Sequence, residues 1–449
     1  MRAHLFGLAG LILFFPLPAI AAESPLARME QVIQSNVADK RFMGAVLVVR
    51  DDKVVLDKGY GFADLEWNVP NTPATKFRLG SVTKQFTAAS ILLLEERGSL
   101  KVTDPVRKYL PELPESWDKI TIFNLLTHSS GIFSVTSLPD FKDFKRRHLT
   151  PQQMVDLVRD KPLDFQPGEK FNYSNTGYIV LGMVIEKVSG QPYTQFLQAN
   201  IFTPLGMKDT GYEDQAAILP LRARGYQRSS AGALTNADFI DMSVPSAAGA
   251  LYSTTHDLLT WEKALFGGKL LSAASFTKMT TPFKDNYAFG LGVNNNGGHR
   301  QISHNGGIDG FSTIMVNYPD DRLTVIVLDN IATGAPGDIA GKLADIAFGK
   351  TVTLISERKE VAGDPKVLAR YVGHYQLAPN VVADITQEGS SLYFQPGKQP
   401  KAQMFAEGQK DFFLKIVDAQ ATFVVDGDGP ASAMIWHQGG RDQTAPRVP

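Results

Sequence analysis

The sequence predicts an α+β protein: one antiparallel sheet flanked by helices, with a helical subdomain inserted in it and a separate small β-domain at the C-terminus. Three observations predict this. Strand patterns stand near both ends of residues 23–350, helical signals fill the space between them, and past Thr351 the chain changes to short alternating segments.

In chain order, the apolar runs 44–50 and 54–61 flank Asp51-Asp52-Lys53 and read as a hairpin. Residues from about 82 to 280 carry mostly helical signals broken by Pro- and Gly-containing loops. Residues 82–97 are apolar almost all round and stop at Gly98, which predicts a helix buried at the centre of a large domain. A second apolar helix, around 179–185, follows the turn Gln166-Pro167-Gly168-Glu169. Strand patterns return from Tyr287 to Asn330, with 308–318 and 323–328 joined by Pro319-Asp320-Asp321, and 337–348 reads as a closing helix. Segments 381–385, 391–394, 411–414, 421–425 and 433–436 alternate between turns and form the separate β-domain. The expected division is 1–22, 23–350, a linker over 351–365, and 366–449.

The N-terminus addresses the chain for export. Met1-Arg2 precedes an apolar run from Leu5 to Phe15, then Pro16 to Ala22, with Ala19 and Ala21 as a small-residue cleavage site. The run is too short for a comfortable span, so the expectation is a signal peptide, a mature chain starting near Ala22 or Glu23, no stable membrane anchor, and a periplasmic or secreted bacterial enzyme. There is no cysteine, hence no disulfide and no lipid-modified cysteine. With 449 residues, 43% of them hydrophobic, and a net charge of −1, the chain can bury a large core and offers nothing to nucleic acid or an anionic membrane surface.

Chemistry is carried by three segments: Ser81-Val82-Thr83-Lys84, Tyr173-Ser174-Asn175 and His304-Asn305-Gly306-Gly307. Ser-x-x-Lys alone is weak, because Ser116, Ser275 and Ser356 each stand three residues before a lysine as well. Ser81 differs by opening the buried helix, where free backbone N–H groups favour developing negative charge and Lys84 lies one turn on. Tyr173 and Asn175 stand at the entry of the second apolar helix. A tyrosine is a poor base at neutral pH unless nearby positive charge lowers its pKa, and Lys84 is the candidate for that charge. His304 precedes the paired strands, and Gly306 and Gly307 would let a substrate approach the strand backbone. His437-Gln438-Gly439-Gly440 repeats the spacing as a decoy. No Gly-x-Ser-x-Gly elbow and no His-Glu-x-x-His or His-x-His pair occurs, so no metal or other cofactor is implied.

Together with the flanking text Phe77-Arg78-Leu79-Gly80, Leu125-Leu126-Thr127-His128-Ser129-Ser130-Gly131 and Pro167-Gly168-Glu169-Lys170-Phe171-Asn172, these segments resemble the serine β-lactamase and penicillin-binding-protein superfamily. The resemblance covers about residues 25–350. It lies in the branch shared by class C β-lactamases, D-alanyl-D-alanine carboxypeptidases, D-aminopeptidases and β-lactamase-like esterases. It implies a β-lactamase/transpeptidase-like fold, Ser81 as acylated nucleophile, Lys84 and Tyr173 as the proton-transfer pair, and Asn175 as a hydrogen-bonding orienter. It also implies an oxyanion hole from the N–H groups of Ser81 and Gly307. His304 stands where class C enzymes have Lys, and a neutral imidazole recognises a substrate carboxylate less strongly. The C-terminal segment resembles the lipocalin-like β-barrels appended to many β-lactamase-related hydrolases.

The expected function is a serine hydrolase for D-amino-acid peptides or small esters, its partner a small-molecule, peptide or ester substrate. The alternatives are a class C-like β-lactamase and a penicillin-binding sensor with negligible turnover.

Overall fold

A computed structural model describes residues 24–229, 232–378, 381–438 and 441–449. The export signal expected over 1–22, and Gly439 and Gly440 of the decoy, lie outside the described residues. Among the described residues, no helix is long and apolar enough to cross a membrane.

Strand β1 (Gly44–Arg50) turns into β2 (Lys53–Tyr60) through Asp51 and Asp52, whose φ values of 50° and 61° match the twist of the strands they join. Four more strands come from the other end of the region: β3 (Gly292–Asn296), β4 (His299–Ile308), β5 (Phe311–Tyr318) and β6 (Leu323–Asp329). They form one antiparallel sheet in the order β3-β4-β5-β6-β1-β2, closed by pairing β1 with β6 in the register Val46 to Val327 and Leu47 to Ile326. A Pro319–Asp321 turn, ended by Arg322 in the left-handed region, joins β5 to β6 as the sequence predicts.

The sheet is covered on both faces. Val46, Val48, Val325 and Val327 meet Met29, Val32 and Ile33 of α1 (Pro25–Ala38) and Ile339 and Leu343 of the closing helix. Ala45, Leu47, Ile326 and Leu328 join the larger core around α2 (Thr83–Glu96), in which every residue from Thr83 to Leu94 is buried. Next to α2 packs α3 (Asn175–Ser189), and the closing helix is α4 (Ala335–Ala347). The stretch read as helical also contains strands: Gly211–Tyr212 and Leu251–Ser253, which pair with Phe77–Arg78 just before it in a small sheet that ties the chain before Ser81 to distant segments. Strands of two or three residues hold only through tertiary pairing, so they leave no periodic signal.

The C-terminal strands close into an eight-stranded antiparallel barrel: β7 (Gly373–Ala378), β8 (Val381–Glu388), β9 (Ser391–Pro396), β10 (Ala402–Ala406), β11 (Asp411–Leu414), β12 (Ala419–Val424), β13 (Ala433–Gln438) and β14 (Arg441–Val448). Its interior is filled by side chains, among them Tyr375, Leu392, Phe394, Phe412, Phe423 and Met434. Among the described residues, three ion pairs join barrel residues to the rest of the chain: Lys342 with Asp418, Arg358 with Glu407 and Glu360 with Lys415.

Candidate active site

The site is built where three elements converge on Ser81: the start of α2, the start of α3 and the edge of β4. β3 pairs only with residues 299–303 of β4, so 304–308 present a free edge toward the Gly80–Val82 turn. Gly80 has φ 53°, and a Cβ there would sit 2.9 Å from the Gly307 nitrogen and 3.0 Å from its oxygen. The Gly307 backbone therefore lies directly against the serine turn. At Gly306 a Cβ would collide with the Leu79 oxygen at 1.9 Å and the Thr313 hydroxyl at 2.4 Å. This corrects the expectation for that residue: Gly306 lets the serine segment approach the strand, whereas Gly307 faces open space.

Ser81 caps nothing, since the turn has no side-chain cap and its hydroxyl lies 3.1 Å from Lys84 Nζ. Lys84 also donates to Asn175 Oδ1 at 2.8 Å and to the Ala248 carbonyl at 2.9 Å. It is fully buried, and no carboxylate pairs with it among the described residues. Burial alone pushes its pKa well below the usual lysine range, because the ammonium loses its hydration without gaining a counter-ion. Asn175 opens α3, with its Nδ2 donating to Thr136 Oγ1 at 3.0 Å and its backbone N–H to Ser134 Oγ at 3.1 Å. The amide is thereby oriented with its oxygen on Lys84.

Tyr173 lies with its ring centroid 4.8 Å from Lys84 Nζ, its hydroxyl engaging Ser81. Its pKa moves opposite to expectation. Burial pushes the phenol up, and Lys84, itself driven toward the neutral amine, supplies no charge to hold it down. Tyr173 is a protonated hydroxyl at this site.

His304 is 6% exposed, with both ring nitrogens engaged: Nδ1 lies 2.6 Å from the Asn305 carbonyl and Nε2 2.8 Å from the Tyr287 hydroxyl. The carbonyl only accepts, so Nδ1 carries the proton and Tyr287 donates to Nε2. Burial pushes the His304 pKa down to about 3. The ring is a neutral part of the wall and not a cation for a substrate carboxylate. Beside Ser81, Asn175 and Gly307 opens a cavity of about 260 Å³ with an apolar lining that includes Val135, Phe141, Ile179, Ile240 and Val244.

The decoys stay apart. Ser116 and Ser356 lie in isolated 3₁₀ turns, Ser275 bonds Ser272 at a helix start, and His437 contacts Asp442 and Thr422 on the barrel. Sequence reasoning gave no role to Ala248, Tyr287 or His128, although all three touch the constellation. Only His128 had a signal, its place in the quoted Thr127-His128-Ser129 text.

Comparison with known proteins shows the family. The β-lactamase family pattern ("Beta-lactamase") matches residues 29–348. The chain belongs to the β-lactamase family. A domain of unknown function (DUF3471) matches residues 357–446, which contain most of the barrel. Penicillin-binding protein 4* of Bacillus subtilis (strain 168) is 29% identical over 451 residues, covering 93% of this chain and 98% of that protein. The octameric penicillin-binding protein homologue from Pyrococcus abyssi superposes with a TM-score of 0.68 at 26% identity, over 94% of this chain and 99% of that one. A D-stereospecific amidohydrolase from Streptomyces superposes at 0.63 and 28% identity, over 73% of this β-lactamase-family chain and 99% of its own.

Proposed function

We propose that this protein is an exported serine hydrolase that forms an acyl-enzyme on Ser81 and acts on D-amino-acid amides and peptides or on small esters. The observation that carries the reading is the set of partners around Lys84. A neutral amine has two N–H donors and one lone pair. Asn175 Oδ1 and the Ala248 carbonyl accept only and take both donors, so the lone pair is left for the Ser81 hydroxyl.

Lys84 takes the Ser81 proton as Oγ attacks the substrate carbonyl, and the N–H groups of Ser81 and Gly307 hold the resulting oxyanion. Tyr173, kept protonated by burial, delivers a proton to the departing amine or alkoxide, and the proton that Lys84 took from Ser81 restores the phenol. Water then attacks the acyl carbonyl, releasing the acid and restoring the Ser81 hydroxyl. The apolar cavity beside Ser81 suits an uncharged side chain. The neutral His304 wall favours amides and esters over substrates recognised by a carboxylate, penicillins included. The Streptomyces amidohydrolase supports D-configured amides; the Bacillus relative supports the second reading, acylation by β-lactams.

The test is a panel of D-amino-acid amides, D-Ala-D-Ala peptides, p-nitrophenyl acetate and a chromogenic cephalosporin, run on wild type and Ser81→Ala. Sustained turnover of amides or esters, abolished in the variant, is expected. A stoichiometric burst with no turnover would instead mark a sensor, and fastest turnover of the cephalosporin a β-lactamase.

A further inference from the structure

We infer that His128 is the positioning residue that fixes Tyr173 over Ser81, acting through the backbone on both sides of the tyrosine. The inference rests on the proposed Ser81 chemistry.

Tyr173 sits in an irregular segment just before α3, without a helix or strand ladder to hold it. Such a segment would leave the hydroxyl free to wander, and a displacement of about 1 Å from productive geometry can cost on the order of 10²-fold in rate. The Asn172 side chain donates to Asp164 at 2.8 Å, but the backbone N–H groups on both sides of Tyr173 go to His128. The Asn172 N–H donates to the His128 carbonyl at 2.9 Å, and the Ser174 N–H donates to His128 Nδ1 at 3.1 Å. The two bonds bracket Tyr173, and the imidazole itself lies against the tyrosine ring with centroids 4.1 Å apart and planes at 37°.

Backbone and ring of His128 are both committed to this task. Its φ of 53° is a strained, left-handed conformation for a residue with a Cβ, and it lets carbonyl and ring face the same segment. Because Nδ1 accepts the Ser174 N–H, the neutral ring must carry its proton on Nε2. That atom is buried, has no hydrogen-bond partner among the described residues, and lies in a ring tilted against those of Tyr173, Tyr178 and Tyr287, with centroids at 4.1, 5.0 and 4.8 Å. Protonation would give the ring its second N–H, on Nδ1, and turn the acceptor of the Ser174 N–H into a donor facing it. Burial holds the His128 pKa far below its ordinary value, so the acceptor stays available. His128 is 1% exposed and lines neither the cavity beside Ser81 nor the groove past His304, so it does not touch substrate.

The test is a double-mutant cycle on p-nitrophenyl acetate hydrolysis with Tyr173→Phe and His128→Phe, the latter keeping a ring and removing the acceptor. Single His128→Phe should lower kcat about 30-fold with KM within about threefold of wild type, and in the Tyr173→Phe background it should cost less than about threefold more. Equal losses in both backgrounds, or a single variant within threefold of wild type, overturn the inference. If Tyr173→Phe is itself silent, the proposed mechanism has failed first, which keeps the two failures distinct. Should His128→Phe not fold, His128→Asn decides, because its oxygen can replace Nδ1 and Asn tolerates left-handed backbone. That variant should stay within about threefold of wild-type kcat, and a tenfold or greater loss in a folded protein overturns the role.

Discussion

The six-stranded sheet region and the eight-stranded barrel are both antiparallel and both filled with side chains, yet they treat polar groups in opposite ways. The barrel core is apolar and aromatic, and its buried tyrosines are satisfied: Tyr371 donates to the Gln409 carbonyl and Tyr375 to the Tyr371 carbonyl. Among the described residues past Asn330, Asp418 is the one buried charged or polar side chain, and it meets Lys342. The sheet region instead buries Lys84, His128 and His304 without a counter-ion. Burying an ionisable group this way is costly and forces it toward its neutral form. That neutral form is the one a lysine base needs. Barrel packing adds stability; the sheet region spends stability to hold reactive groups.

The sharpest way to break the comparison is to remove one buried hydroxyl from the sheet region. Tyr173→Phe should lower kcat/KM by about 10²–10⁴ while leaving the melting temperature nearly unchanged, as expected for loss of acid–base help. A variant within threefold of wild type would take Tyr173 out of the mechanism.

A barrel mutation should do the reverse. Phe423 is fully buried, stacked on Tyr371 at 4.4 Å and edge-on to Phe412 and Tyr375. Phe423→Ala should destabilise the barrel by about 3–5 kcal/mol in denaturant unfolding. Below the transition kcat should be unchanged, and a kcat loss comparable to that of Tyr173→Phe would place the barrel inside the chemistry.

The smallest effect concerns a buried acid away from Ser81. Glu262, which accepts from the Asn317 amide, has its pKa pushed up to about 7 by burial. A carboxyl raised in the folded state binds its proton more tightly there than in the unfolded chain, where its pKa is about 4.3. Stability is therefore lost as pH rises from that value through the folded one. Glu262→Gln should flatten this slope, raising the melting temperature relative to wild type more above pH 7 than at pH 5; an equal difference at both would contradict the assignment.

Much of the contrast is legible in the sequence. Ser81, Lys84, Tyr173 and Asn175 were readable because their spacing and flanking text are specific, and the Asp51-Asp52 turn because two short polar residues separate apolar strands. Five barrel strands announced themselves through aromatic and β-branched runs. Gly373–Ala378, Ala402–Ala406 and Arg441–Val448 did not, being rich in Gly, Ala, Gln or Arg and dependent on ring closure for their pairing. In the site, the Ala248 carbonyl has no side-chain signature, and the charge states of Lys84 and Tyr173 follow from burial, which motif spacing does not encode.

The central claim is that Ser81 is a nucleophile because a neutral, carboxylate-free Lys84 takes its proton. Treating the full-length protein with a fluorophosphonate near neutral pH, followed by intact-mass analysis and peptide mapping, tests it directly. The account predicts one adduct, on Ser81, and labelling of Lys84→Met slowed by about 10²-fold or more. An adduct on Ser116, Ser275 or Ser356, or a Lys84→Met variant that labels Ser81 as fast as wild type, would contradict it.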